Sequence, residues 1–318
     1  VLTGSGDPYK VYSPFAKKAQ EQSVPEPRAN KFSNFSEHEY GHNINDLKSL
    51  VLHDDQLFRK GGRSEALEIL RDLEDLKNYK EERNFPAIHG TSGLSAHHKF
   101  GTISIRETYE AAKEKHLPQQ FINELYWRDF FTHLAFSFPY VFERNFQEDT
   151  EKVEWRNNKE EFEAWKQGKT GFPIVDAGMR QLNATGYMHN RVRMIVASFL
   201  TKDLQIHWTW GEKYFAKNLI DYDPAVNNGS WQWAASTGAD AQPYFRIFNP
   251  WLQSERYDKD AYYIKTWIPE LQDVEPKKIH TWYKQDSLFD QTIDYPKPIV
   301  DHAERSSETK ERFKKAKG

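Results

Sequence analysis

Four short stretches hold residue types that can do chemistry together. The first is Asn123-Glu124-Leu125-Tyr126-Trp127-Arg128. On a helix, Glu124, Trp127 and Arg128 fall at i, i+3 and i+4 and share one face. That face offers a carboxylate, a flat ring and a guanidinium. The same spacing also fits an amphipathic helix with an intrahelical Glu124–Arg128 pair and a Trp at its core edge. The second stretch is Met188-His189-Asn190-Arg191-Val192-Arg193. Two arginines and an asparagine gather where a helix begins, and the planar guanidinium fork suits phosphates. A basic surface turn fits equally well. The third is Asp221-Tyr222-Asp223-Pro224 through Asn227-Asn228-Gly229. Its carboxylates can cap the helix after Pro224, accept hydrogen bonds from a ligand or, least readily, hold a metal. Asn227-Asn228-Gly229 reads as a tight turn feeding Trp231 and Trp233. The fourth, Thr91-Ser92-Gly93-Leu94-Ser95, can turn backbone N–H groups toward a phosphate, as many Ser/Thr/Gly loops can.

His38 and His42 lie four apart and His97 and His98 are adjacent, which raises a zinc question. With no cysteine and no HExxH pattern, a metal site is not expected. There is no GxSxG elbow for a hydrolase triad. Absence of cysteine also removes disulfides, iron–sulfur clusters and a thiolate nucleophile.

The elements that must position these residues are helical. Leu67, Leu70, Leu73 and Leu76 form one face of a helix starting near Ser64. Ser104 to Glu107 is a capping box. Residues 119–137 carry Phe121, Leu125, Phe131 and Leu134 at helical spacing. Asn158 caps a short helix, Phe172-Pro173 opens another that ends before Gly186, and a further helix runs over about 189–203. Other helical stretches cover roughly 211–220, 258–267 and 303–316. No strand alternation of any length follows residue 40, so the body reads as all-α. Residues 1–36, broken by Gly4, Gly6, Pro8, Pro14, Pro25 and Pro27, read as a linker or lead-in.

The chain has 318 residues, 44 basic and 47 acidic side chains and a net charge of −3, which excludes a globally basic nucleic-acid binder but not a local basic face. Mean hydropathy is −0.87, with no apolar run long enough for a membrane span and no visible leader. Aromatic residues make up 15% of the chain, enough for a ring-rich core or for stacking on flat ligands such as bases and flavins.

Four segments together resemble the DNA photolyase/cryptochrome family, and within it the class I cyclobutane-pyrimidine-dimer photolyases. They are GKTGFPIVDAGMRQLNATGYMHNRVRMIVASFLTKDL (168–204), NNGSWQWAASTGADAQPYFRIFNP (227–250), NELYWRDF (123–130) and GTSGLS (90–95). The resemblance runs almost continuously over 79–300 and more thinly over 1–78. It implies an all-α, helical FAD-binding catalytic domain over 37–318. Residues 1–36 would then be the remnant end of an α/β antenna domain largely absent from this chain, so no antenna chromophore is assigned.

By resemblance, Tyr79 and the run Thr91, Ser92, Gly93, Leu94 and Ser95 contact the phosphates and ribitol of FAD. Phe121, Glu124, Arg128, Asn190, Arg193, Asp221, Asp223 and Asn227 complete the cofactor pocket, with Asn227 at the flavin N5. Glu124, Trp127, Asn190, Arg191, Trp233 and Gln253 would meet damaged DNA, with Met194 beneath the lesion. Trp231, Trp208 and Trp155 match the family's electron-relaying tryptophans. Glu124, Asn190, Asn227 and Met194 are the expected catalytic set.

The implied activity is light-driven splitting of the dimer by an electron from reduced, anionic FAD, after the lesion has flipped out of the duplex. The implied partner is dimer-bearing DNA, with a monomeric, cytoplasmic protein as the expectation. Asn227 favours repair over the alternative, a cryptochrome-like blue-light receptor, and the Asp221/Asp223/Asn227 set argues against a helical module without FAD. The MHN form at 188–190 favours this class over relatives that repair the (6-4) lesion, which carry a His-based signature there, and over the single-strand-preferring branch with its different local pattern; both alternatives stay open. Three positions depart from the family pattern: Gly93 stands where a long or basic side chain is usual, His97-His98 replaces a small-plus-Tyr pair, and Trp251 replaces a polar residue.

Overall fold

The computed structural model describes residues 1–28, 33, 46, 55–284 and 293–318. Among these the regular structure is helical, with no strand beyond one isolated bridge between Leu2 and Pro8. The expected 36/37 boundary and the His38/His42 pair lie outside the described residues.

The helices are α1 (Tyr12–Gln20), α2 (Arg63–Arg71), α3 (Tyr79–Glu82), α4 (Ser95–Phe100), α5 (Ile105–Glu114), α6 (Gln119–Ser137), α7 (Lys159–Gln167), α8 (Pro173–Thr185), α9 (Asn190–Ser198), α10 (Trp208–Asn218), α11 (Pro224–Ala235), α12 (Pro250–Tyr257), α13 (Tyr262–Trp267), α14 (Pro276–His280) and α15 (His302–Lys317). They enclose two large apolar cores and a small cluster of Val153, Phe313 and Ala316. One gathers α1, α2, α5 and α6 around Phe15, Leu73, Phe121 and Phe130. The other gathers α7 to α11 and α13 around Trp165, Phe172, Phe199, Trp208 and Trp231.

Local chemistry sets most helix ends. Ser104 accepts from Glu107 N–H while Glu107 returns the bond to the Ser104 N–H, the reciprocal box expected for α5. Asn158 accepts from Glu161 N–H and starts α7. Pro173 opens α8, and Gly186 stops it at φ +67°, a conformation that suits Gly.

Elsewhere the structure departs from expectation. The stretch read as a linker contains α1, which packs on α6. α2 tightens at Asp72 into a 3-10 turn, Asp72–Leu76, so Leu67 is exposed while Ala66, Leu70, Leu73 and Leu76 are buried. α9 passes into a π turn, Phe199–Asp203. The pattern at 258–267 belongs only to α13, and α12 before it starts on Pro250 with Asn249 as its cap. Asn227-Asn228-Gly229 is not a turn but the middle of α11. A Cβ at Gly229 would sit 2.1 Å from the Phe131 ring, so the glycine is there to let α11 press against α6. Trp251 packs on Phe172 with ring centroids 4.6 Å apart, which explains an aromatic residue at that position.

Candidate active site

A cavity of about 500 Å³ opens at the seam of the two cores. From one side come Tyr79 of α3, the Thr91–Ser95 loop and α6; from the other come α9, α10 and α11. Its walls include Leu94, Phe121, Phe131, Phe215 and Trp231, with polar groups at a few points. Apolar walls with convergent polar groups define a small-molecule site, and the ring-lined length suits a flat heteroaromatic with a polar tail.

All fourteen residues expected around the cofactor line this one cavity: Tyr79, Thr91 to Ser95, Phe121, Glu124, Arg128, Asn190, Arg193, Asp221, Asp223 and Asn227. Met194, Trp127, Trp231 and Trp233 line it too. Arg193 grips Asp221 with two hydrogen bonds of 3.2 and 2.8 Å, and its Nε donates to the Met188 carbonyl at 2.6 Å. That pair joins α9 to the turn before α11. Asp223 caps α11 through Oδ1, which accepts from Ala225 and Val226 N–H. Both acids thus have a cation or backbone amides as partners, not the open pair that a metal needs.

Asn227 is oriented by Glu212 of α10. Its amide nitrogen donates to the Glu212 carboxylate at 2.9 Å and to the Glu212 carbonyl at 3.2 Å. Both partners are acceptors, so the amide can present only its nitrogen to them. Oδ1 is left as the atom for a ligand donor. Burial pushes the Glu212 carboxyl up, and the Asn227 hydrogen bond opposes the rise.

Glu124 does not pair with Arg128. It is salt-bridged to Arg83, just past α3, while Arg128 turns to Asp129 at 3.5 Å. The Glu124–Arg128 pair that helical spacing allows loses to a tertiary partner. Trp127 is stacked on Tyr12 of α1, with centroids 3.6 Å apart and planes 6° from parallel. Asn190 lies beside Met194, its Nδ2 3.9 Å from the sulfur.

Two expected DNA contacts do not line the cavity. Arg191 is held by Asn84 Oδ1 and lies over the Tyr257 ring at 4.5 Å. Gln253, on α12, is partly buried with its Oε1 unpartnered. Of the three relay tryptophans, Trp231 is buried at the cavity wall, Trp208 is buried with its N–H donated to Asn145 Oδ1 at 2.7 Å, and Trp155 is partly exposed. His207 joins the latter two, its ring 5.8 Å from Trp208 and 5.4 Å from Trp155. His97 bonds Thr102, and His98, which also lines the cavity, bonds Thr108.

Sequence reasoning missed Tyr12, Arg83 and Glu212. Each reaches the site across a tertiary contact and carries no local pattern of its own.

The fold and the cavity define a helical flavin-binding domain. Residues 121–315 match the model of the FAD binding domain of DNA photolyase. The chain is 42% identical over its whole length to the deoxyribodipyrimidine photo-lyase of Halobacterium salinarum, of which it covers 70%. It is 48% identical to that of Escherichia coli over 75% of this chain and 52% of that protein. A crystal structure of a bacterial class III photolyase from Agrobacterium tumefaciens superposes with a TM-score of 0.88 at 40% identity, covering 100% of this chain and 70% of that one. An archaeal photolyase from Sulfolobus tokodaii, solved with two FAD molecules, superposes with a TM-score of 0.86 at 42% identity over 99% of this chain and 70% of that one. This chain belongs to the DNA photolyase family and carries its FAD-binding domain. It spans between about half and 70% of the length of these relatives.

Proposed function

We propose that this chain is the catalytic part of a deoxyribodipyrimidine photo-lyase of the class I type, which repairs cyclobutane pyrimidine dimers in DNA under light. One observation carries the reading. Residues suited to a flavin and residues suited to a flipped lesion share a single cavity, with Asn227, Arg193 and Asp221 among the first and Trp127, Trp233, Glu124 and Met194 among the second. Bound FAD in its reduced form would supply the light-driven electron that splits the dimer.

The protein's part is binding, orientation and electrostatics. Asn227, turned by Glu212, offers an oxygen to a donor at the edge of the flavin ring. Trp127 and Trp233 offer stacking surface to an extruded, poorly stacked lesion. Glu124, steadied by Arg83, accepts hydrogen bonds from the dimer. Trp155, partly exposed, and the buried Trp208 and Trp231 would carry an electron toward the cavity wall.

The test is damage-selective binding followed by light. In darkness a dimer-bearing oligonucleotide should bind more tightly than the undamaged strand, and blue light should release it as undamaged product. Flavin that photoreduces while dimers persist would favour a signalling role.

A further inference from the structure

We propose that Trp165 and Tyr214 form a second electron-carrying branch, which joins the relay tryptophans at Trp231. The proposal rests on the flavin-binding and relay reading above. Trp231 of α11 stands at the cavity wall. Behind it lies Trp165 of α7, with ring centroids 6.2 Å apart and planes at 70°. Trp165 in turn meets Tyr214 of α10, with centroids 5.8 Å apart and planes at 65°. Both are edge-to-face contacts of the kind aromatic rings favour. Three oxidisable rings thus run in unbroken contact from the cavity to a partly exposed tyrosine.

The chemistry changes along this line. Trp165 is fully buried, and its N–H donates to the Val196 carbonyl at 3.2 Å. A backbone carbonyl is too weak a base to keep that proton. An oxidised Trp165 therefore stays a cation in an apolar core, which is costly, and an electron from a neighbouring ring relieves it. Tyr214 is suited to supply that electron. Its hydroxyl donates to Asn183 Oδ1 at 2.7 Å in an exposed pair, so water can reach the proton as it leaves. Burial pushes the Tyr214 phenol up, opposed by that hydrogen bond, so the proton is in place at rest. Lys166 lies 5.8 Å from the ring centroid, and Glu163, 2.6 Å from the ammonium, offsets its charge.

The steps balance. Trp231 gives one electron to light-excited oxidised flavin, Trp165 refills Trp231, and Tyr214 refills Trp165 while releasing its phenol proton to water. A hydrogen atom from a soluble thiol then restores the tyrosine.

The experiment illuminates the FAD-loaded chain with blue light in the presence of dithiothreitol. It follows flavin bleaching and the electron paramagnetic resonance of samples frozen under light. Chains made with ring-deuterated tyrosine identify a tyrosyl signal by its narrowing. The wild type should give that signal. Tyr214→Phe and Trp165→Phe should lose it, and Trp208→Phe should keep it, at equal flavin content. Bleaching should slow in Trp208→Phe and be lost when Tyr214→Phe is added. A tyrosyl signal that survives Tyr214→Phe overturns the inference. So does bleaching that vanishes in Trp208→Phe alone, which leaves the expected relay standing. A wild-type chain that holds FAD and does not bleach overturns the relay reading and this branch with it.

Discussion

Trp127 shows how a single side chain depends on residues far away in sequence. Tyr12 covers one face of its ring, Phe130 and Phe131 approach its flanks, and the residue lines the cavity. Stacking a base on such a ring is worth about 1–3 kcal/mol by alanine substitution. Trp127→Ala should therefore weaken binding of dimer-bearing DNA about tenfold while FAD content stays the same. Tyr12→Ala should weaken it less, by loosening the ring. Equal FAD content with undiminished DNA affinity in both variants would remove Trp127 from the lesion side. At this scale the sequence is legible where a motif is continuous, as in Asn123–Arg128 and Thr91–Ser95. It is not legible for Tyr12, Arg83 or Glu212, because their contacts arise only when separate segments meet.

Elements built from local signals were readable, since Ser104, Asn158, Pro173 and Gly186 act on their own neighbours. The middle of α11 was not, because Asn228-Gly229 favours a turn locally, and the Asp223 cap together with packing on α6 and α10 carries the helix through it. Gly229→Ala would drive a methyl into the Phe131 ring. Overpacking of this kind costs about 1–3 kcal/mol, so thermal melts should shift down. Combining it with Phe131→Leu should restore much of the loss, and no such recovery would place the strain elsewhere.

α9 carries a pH signal. His189 caps it, its Nδ1 accepting from Arg191 N–H. Burial, reinforced by the charges of Arg193, Arg191 and Arg83, pulls its pKa from 6.5 down to about 4. The folded state thus keeps His189 neutral where the unfolded chain protonates it. The stability this gives is complete above pH 6.5 and drains away as the pH falls toward 4, by roughly 3 kcal/mol in all. His189→Asn keeps a capping acceptor without the titration. It should flatten the dependence of stability on pH between 6.5 and 4, as measured by denaturant unfolding, and an unchanged slope would assign the loss to other groups.

Across the whole molecule, the all-α class and the position of the cavity follow from helix periods and from segments shared with the family. The seam between the two cores does not, because it depends on which helices pack together. The C-terminal helix is an example. His302 of α15 bonds Asp203 in the π turn at 2.5 Å, and Lys202 lies 4.0 Å over Phe313, so the last element is fastened to the π turn through buried polar groups with no sequence period. In the proposed role, the net charge of −3 would leave DNA affinity to local cations and stacking rather than to the global field. The most direct measurement is the dimer content of a thymine-dimer oligonucleotide mixed with the flavin-reduced chain, split between blue light and darkness. Light-dependent loss of dimers, absent in darkness and impaired in Glu124→Ala, is the predicted result. Equal dimer content in both halves, from a chain that holds FAD and binds the oligonucleotide, would contradict the repair function.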